Sequence, residues 1–310
     1  MHCITSLGWA LAKRAGLAAI ALIAIIALSL ASGTGAQGIG LARARVHPRA
    51  TPTPKILSLP PAIRIPTYAP GPMPFHEDER LTFVASWLGL PAAQAQMELH
   101  RDPADPALWT CEAMIKTNRA VDVFFKMRDY MREQFRIDSL APRDMYVRQR
   151  ENYRHDDFNV WFNRDRQLVT MSKRNSHGVQ LKQYRASNPW GMLSGAAMAL
   201  SQPMAVGEKY TFDVFSATTR YVLSFEVAGR ERIDTPLGTF DALRLVPSVL
   251  YLSNGKFRAD AQSTNIWISA DGRKLPLRVE SATFIGAIRI DLVKIEERQQ
   301  AGAHRAELRH

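Results

Sequence analysis

Two short clusters contain the residue types that serve metal binding and acid–base chemistry. His76 precedes three carboxylates, Glu77-Asp78-Glu79, but Arg80 stands where helical spacing would place a second histidine ligand. His155-Asp156-Asp157 has similar residue types, and a turn with local side-chain hydrogen bonds accounts for it. We interpret the first cluster as a solvated entry to the folded domain and the second as a turn. The sequence therefore predicts no metal site at either place.

The two nucleophile candidates lack the surroundings that would activate them. Ser194 lies in Met192-Leu193-Ser194-Gly195-Ala196, which lacks the first glycine of a nucleophile elbow. Cys111 falls in an alternating segment and is interpreted as a small buried apolar residue. The chain has no phosphate-binding loop, dinucleotide fingerprint or paired-cysteine zinc pattern. We predict no catalytic residue and no cofactor.

Aromatic side chains are the stronger functional signal. A predicted strand has apolar residues on both faces, with Val84 and Leu88 opposite Phe83 and Trp87. One face can bury against a helix, and the other needs a second sheet, a partner or a ligand. Packing of a closed barrel core is the alternative explanation. On the ligand interpretation, the lining residues are Phe83, Trp87, Trp109, Phe162 and Trp267.

Strands must position these aromatic residues, because period-two alternation dominates from residue 80 onward. Hairpins are predicted around Gly89-Leu90-Pro91, Ser176-His177-Gly178 and Asp271-Gly272. Residues 119–136 have helical spacing and predict an amphipathic helix, and residues 190–200 predict a shorter one. About a dozen short strands predict a mainly β fold, an antiparallel sheet curved into an open or half barrel with one or two packed helices.

The amino-terminal segment has the order of features found in an export signal. Lys13-Arg14 precedes an uncharged apolar run over residues 15–31 and a small-residue stretch over residues 32–36. We predict a signal peptide over residues 1–36, cleaved after Ala36. The alternative is an uncleaved anchor, since a run of 17 residues reaches the lower limit for a spanning helix. Either way the remainder is exported, which predicts a periplasmic protein, or an inner-membrane anchored one without cleavage.

Charge and proline content separate a linker from the folded part. The formal charge is +11, but residues 1–75 hold seven basic residues and no acidic one, which leaves 33 basic minus 29 acidic, or +4, beyond them. Residues 37–75 predict a basic, proline-rich, disordered linker, and the stretch 43–74 could contact a membrane surface peripherally. Residues 76–296 predict one β-rich domain and residues 297–310 a flexible polar tail. No nucleic-acid reader motif occurs, which argues against that partner class.

The last third carries an ordered series of short motifs. Gly229-Arg230-Glu231-Arg232-Ile233 and the turn sequence over residues 235–242 precede Trp267-Ile268-Ser269 and Leu275-Pro276-Leu277-Arg278. Together with Glu79-Arg80-Leu81-Thr82-Phe83, the series resembles the bacterial exported family named domain of unknown function 3108, over residues 76–296. The resemblance implies a signal peptide, a largely antiparallel β domain and no established activity. Its shape is similar to the open half-barrels of periplasmic lipoprotein carriers, an analogy of fold alone.

Three functions follow from these features in order of preference. The first is a non-catalytic envelope module that binds an apolar or lipid-like ligand in a curved sheet. The second is a structural or protein-interaction module of the envelope, using a sheet edge or the proline-rich arm to engage a partner protein. The third is an enzyme acting on envelope polymers, which would require polar groups converging in a cleft.

Overall fold

The structure is a computed structural model that describes residues 56–57, 63–217, 219–253, 256–259, 263–283 and 286–297. The predicted signal peptide, most of the predicted linker and residues 298–310 of the predicted tail lie outside the described residues. No helix in the described ranges combines the length and the apolar character needed to cross a bilayer.

Strands make up most of the described chain. Alternation explains them: in the third strand Ala95, Met97 and Leu99 are buried, whereas Gln96 and Glu98 between them are more exposed. The strands are β1 Ile56–Leu57, β2 Glu79–Trp87, β3 Leu90–Arg101, β4 Leu108–Thr117, β5 Arg128–Arg136, β6 Pro142–Glu151, β7 Arg154–Asn163, β8 Leu168–Asn175, β9 Gly178–Arg185, β10 Pro189–Trp190, β11 Lys209–Phe215, β12 Arg220–Thr235, β13 Gly238–Ser253, β14 Lys256–Ala259, β15 Ser263–Ser269, β16 Pro276–Thr283 and β17 Gly286–Glu297. The helices are α1 Arg119–Asp122 and α2 Met192–Ser201.

These strands form one sheet of almost entirely antiparallel neighbours. β2 to β9 follow one another as a meander, and β17 pairs with β2, so that β16, β15, β13, β12 and β11 continue the same sheet. Short parallel strands flank the ends, β1 beside β9 and β10 beside β11. The sheet curves but does not close into a barrel. The predicted mainly β fold, an antiparallel sheet curved into an open or half barrel with packed helices, is confirmed.

Helix α2 fills the inside of the curved sheet. All ten of its residues are buried, and it touches both β5 and β11, which are far apart in the order of strands. Gly195 and the alanines at 196, 197 and 199 keep the helix narrow enough for this space. The helix predicted over residues 190–200 is thereby confirmed, shifted by one or two residues.

The helix predicted over residues 119–136 is wrong. Only the single turn α1 is helical, capped by Asn118, whose side chain accepts a hydrogen bond from Val121 N at 2.9 Å. Residues 128–136 form β5, which pairs with β4 and β6. The inward positions of β5 include Asp129 and Glu133, and these buried carboxylates hide the alternation that would have indicated a strand.

Residues 63–75, at the end of the predicted linker, pack against the domain. The Tyr68 ring stacks on Phe212 with centroids 4.7 Å apart, and its hydroxyl accepts a hydrogen bond from Thr211 N at 2.8 Å. Gly71 N donates to Ser201 Oγ at the end of α2, and Phe75 is buried. The expectation of a disordered linker through residue 75 is therefore corrected for this stretch, because apolar side chains bind it to the core.

Candidate functional site at the apolar loop end

Four hairpin loops lie side by side at one end of the sheet. Alternate connections of an antiparallel meander fall at the same end, which places the β2–β3, β4–β5, β6–β7 and β8–β9 connections together. Asn152 N donates to Lys126 O at 2.9 Å, and Asn118 N donates to Ala92 O at 2.9 Å, so backbone bonds join the second loop to its neighbours. We call this region, residues 87–90, 118–127, 152–153 and 176–179, the apolar loop end.

Large apolar side chains project from these loops into solvent. Tyr153 is 94% exposed, Phe124 84% and Val123 78%. The same end also exposes Trp87, Leu88, Leu90 and Val179. These are seven of the thirteen large exposed apolar residues in the described ranges. Their concentration at one end indicates a surface that contacts something apolar.

The tip of the first hairpin holds a residue in an unfavourable backbone conformation. Leu88 has φ 51° and is followed by Gly89 at φ 81°, so both central residues of the two-residue loop are left-handed. Asparagine or glycine would occupy the first of these positions without strain, whereas leucine there costs about 1 kcal/mol. A strained, 61% exposed leucine indicates that the exposed side chain itself matters.

The exposed formal charges in and next to these four loops are all positive. Lys116, Arg119, Lys126 and Arg174 are exposed. Of the carboxylates nearby, Asp122 is only partly exposed and is paired with Arg128. The other carboxylates there are buried, as described below. The apolar loop end therefore presents exposed apolar side chains that are surrounded by positively charged ones.

The opposite end of the meander has a different character. Its connections, residues 102–107, 137–141 and 164–167, contain Asp102, Asp105, Asp138 and Asp165, and none of the large exposed apolar residues. Asp102 Oδ1 accepts hydrogen bonds from Ala104 N and Asp105 N, which fix a compact turn. Within the described meander from β2 to β9, the apolar loop end is thus the end whose connections present large exposed apolar side chains.

Below the apolar loop end, the inner face of the sheet carries a buried pair of carboxyl groups. Asp129 on β5 and Glu151 on β6 are 5% and 7% exposed. Burial raises the pKa of Glu151 to about 8, and the negative charge of Asp129 adds to this rise. Burial also raises the pKa of Asp129, although its Oδ1 accepts a hydrogen bond from Arg150 N at 2.8 Å. Two adjacent buried carboxyls repel as anions, so the pair holds a proton near neutral pH.

Asp156 on β7 extends this buried polar cluster. It accepts hydrogen bonds from Arg154 Nε at 2.6 Å and from Asn175 Nδ2 at 2.9 Å, and Lys173 Nζ lies 3.0 Å away. Burial alone would raise the pKa of Asp156, but these three partners outweigh it and lower the pKa. Asp156 stays ionised within a satisfied network.

The buried polar cluster has some of the groups of an acid–base site but not its access. A proton-sharing carboxyl pair beside an arginine and a lysine is suited to proton transfer. However, the three carboxylates are at most 7% exposed, so a polymer or other large substrate does not reach them in this conformation. We interpret the cluster as a structural network that fills the inside of the sheet beneath the loops.

The five predicted ligand-lining residues do not form one surface. Phe83, Trp109 and Phe162 are buried members of the same core cluster. Trp87 lies at the apolar loop end and is 44% exposed. Trp267 is partly buried, and its Nε1 donates to Glu231 Oε1 at 2.6 Å. Of the five, Trp87 alone belongs to the candidate site.

Three other groups that could do chemistry, Glu133, Cys111 and Ser194, are buried and held by the fold. Glu133 is fully buried and accepts hydrogen bonds from Leu193 N and Ser194 N at the start of α2. Burial raises the pKa of Glu133 to about 7, although these bonds oppose the rise. Burial raises the pKa of the Cys111 thiol well above its usual value, which makes it a poor nucleophile. Ser194 Oγ accepts a bond from Gly191 N.

Sequence reasoning missed the apolar loop end, although one signal was present. The helix predicted over residues 119–136 includes Val123 and Phe124, and the hairpin tips are predicted from their turn residues alone. The signal was an apolar residue at a hairpin tip, as in Leu88 and Tyr153, where polar turn residues are usual.

Comparison with known proteins places the domain in a family. A family model described as protein of unknown function, DUF3108, matches residues 82–293. The chain belongs to this family. The sequence resemblance to the DUF3108 family is thus confirmed, and the match spans the strands from β2 to β17. No curated protein matches the chain in sequence.

Three solved structures resemble this DUF3108 domain at low sequence identity. A β-barrel-like protein of the domain of unknown function 1849 from Brucella abortus has a TM-score of 0.49 and 8% identity, covering 72% of this chain and 98% of its own. A Bacteroides fragilis protein with a YmcC-like fold, inferred to be exported, has a TM-score of 0.33 and 10% identity. The match covers 74% of this chain and 100% of that protein's chain. A Parabacteroides distasonis protein, inferred to be a lipoprotein, has a TM-score of 0.31 and 10% identity. The match covers 74% of this chain and 99% of that protein's chain.

Proposed function

We propose that this DUF3108 protein is an exported, non-catalytic module of the cell envelope that binds a lipid-like ligand at the apolar loop end. The observation that carries the proposal is the concentration of exposed apolar side chains at one end of the sheet. Phe124, Val123 and Tyr153 are each more than three-quarters exposed there. Four adjacent hairpins that present such side chains need an apolar partner.

The export signal predicted from the sequence puts this surface in a suitable compartment. Lys13-Arg14 and the apolar run over residues 15–31 direct the chain out of the cytoplasm. An exported protein meets lipids and lipid-modified molecules of the envelope. The peripheral membrane contact expected of residues 43–74 belongs to the same proposal, and most of that stretch lies outside the described residues.

The site lies on the loops and not within the sheet. Helix α2 occupies the inside of the curved sheet, where Leu200 and Met198 are fully buried. Phe83, Trp109 and Phe162, which the sequence assigned to a ligand, pack into this core. A ligand therefore binds at the tips and the outer rim without displacing the core.

Native mass spectrometry of the protein recovered from an envelope extract tests the proposal. The wild-type chain is expected to carry an adduct with the mass of a lipid. The double variant Val123→Ser/Phe124→Ser should lose the adduct. The matched control is Val206→Ser, because Val206 is 59% exposed and precedes β11 at the opposite end. A bare wild-type mass, or an adduct that the double variant retains, would contradict the proposal.

A second function, docking of a protein partner, is favoured by one feature of the sheet edge. β1 pairs only with Gln183 and Tyr184 of β9, and no other described strand covers the outer edge of residues 178–182. Those residues are exposed, including Val179 and Leu181. An extended segment of a partner could add to this edge. Cross-linking in cells from position 180 would reveal a reproducible protein neighbour if this function is correct.

A further inference from the structure

We infer that the apolar loop end docks on the surface of an anionic lipid bilayer, with the hairpin tips entering the membrane interface. This inference rests on the proposed function and deepens it. It names the physical form in which the lipid-like ligand is met as a bilayer surface, from which lipid stays bound to the hairpin tips on extraction.

The residue types at the tips suit the interface between lipid and water. Trp87 and Tyr153 belong to the residue types favoured at the level of the lipid headgroups, and Phe124 to those that reach the boundary with the acyl chains. Leu88 and Val123 add aliphatic side chains that can reach the acyl boundary. The tips are separate projections on neighbouring hairpins, and such tips enter a fluid surface more readily than they fit a rigid one.

Charge complementarity indicates an anionic surface. Lys116, Arg119, Lys126 and Arg174 are exposed around the tips, with no exposed carboxylate in the same segments. Each basic residue near an anionic membrane surface changes affinity roughly fivefold. The acidic loops, with Asp102, lie at the opposite end, where an anionic membrane would not repel them.

The direction of the chain provides an independent argument. β1 runs parallel to β9, and β9 runs away from the apolar loop end. The amino end of Ile56 therefore points toward the apolar loop end. The residues before it in sequence include Arg43, Arg45, Arg49 and Lys55, and the apolar run over residues 15–31. The described chain thus enters β1 from the direction of the exposed tips.

Vesicle flotation with the chain recovered after export tests the inference. The wild-type protein should float with vesicles containing phosphatidylglycerol, and should float less with phosphatidylcholine alone or at high salt, because salt screens exposed charges. The double variant Val123→Ser/Phe124→Ser should bind at least roughly tenfold less, given the apolar surface that it removes. Lys126→Gln should bind roughly fivefold less, and Val206→Ser should match the wild type.

If the apolar run over residues 15–31 is not cleaved, that run could bind vesicles by itself. A measurement confined to the loops separates their contribution from that of the run. Amide hydrogen exchange with vesicles present should slow in residues 118–127 and 152–153, and should not change in residues 102–107. Equal exchange with and without vesicles would overturn the inference. A lipid adduct in native mass spectrometry without vesicle-dependent protection would also overturn it, and would leave the proposed function standing as single-lipid binding.

Discussion

Replacing Glu133 by glutamine should change how the stability of this domain depends on pH. Glu133 is fully buried, and its two carboxyl oxygens accept hydrogen bonds from Leu193 N at 2.7 Å and Ser194 N at 3.1 Å. A side chain at position 191 would meet the carboxyl group, since a Cβ on Gly191 would lie 2.1 Å from Glu133 Oε1. The carboxyl group therefore holds the first turn of α2 in the core.

The size of the effect follows from the pKa of this group. Burial raises the pKa of Glu133 from 4.5 to about 7. At ~1.4 kcal/mol for each pKa unit, this amounts to about 3 kcal/mol. Because the folded state binds the proton more tightly than the unfolded state, this contribution is fully present below pH 4.5 and is lost as the pH rises through about 7.

Glutamine cannot titrate, so it removes this dependence. Glu133→Gln also turns one acceptor oxygen into a donor that faces a backbone N–H, which costs about 1–3 kcal/mol at all pH values. The variant should therefore be less stable than the wild type at roughly pH 5, and should gain about 3 kcal/mol relative to it by roughly pH 8. Urea denaturation of both proteins across this range measures the difference. A difference in unfolding free energy that does not change with pH would refute the reasoning.

Three further predictions concern other buried or strained groups. Leu88→Asn should raise the unfolding free energy by about 1 kcal/mol, because asparagine tolerates the left-handed conformation; an unchanged or lower urea midpoint would contradict the strain. Arg220→Met should lower the unfolding free energy by about 3–5 kcal/mol, because Arg220 is buried and donates hydrogen bonds to both carboxylate oxygens of Asp213 at 2.8 and 2.7 Å. A loss below about 1 kcal/mol would show that Asp213 does not need its partner. The wild type should lose stability as the pH rises through about 8, where Glu151 must ionise. Asp129→Asn should reduce that loss, and equal thermal midpoints for the two proteins across this pH range would argue against the carboxyl pair.

Much of the fold could be predicted from the sequence because its strands have one buried and one exposed face. In β3 and in the middle of β12 buried and more exposed residues alternate, and turn residues such as Asp271-Gly272 mark the hairpins. The error at β5 has a physical cause. Its inward positions alternate Asp129, Met131, Glu133 and Phe135, so half of them are acidic. A buried carboxylate is recognised only once its partners are known, and those partners are 21 or more residues away.

The candidate site was less predictable, because it depends on which loops share an end of the sheet. Leu88, Phe124 and Tyr153 are separated by 29 residues or more in the chain, and strand pairing alone brings their hairpins together. The predicted aromatic residues are large and lie on strands, and a core requires the same two properties. Phe83 and Phe162 are in that core. What distinguishes them from Trp87 is the exposed fraction of the side chain, which the sequence pattern does not give.

Quenching of tryptophan fluorescence by brominated lipids measures most directly whether the apolar loop end enters a membrane. Trp87 is 44% exposed at the apolar loop end, and Trp161 is 48% exposed on the outer face of β7, away from the tips. Anionic vesicles with bromine near the headgroup should quench the wild-type protein and Trp161→Phe, but not Trp87→Phe. Quenching that persists in Trp87→Phe and disappears in Trp161→Phe would contradict a membrane-facing loop end, and so would a lack of quenching in the wild type.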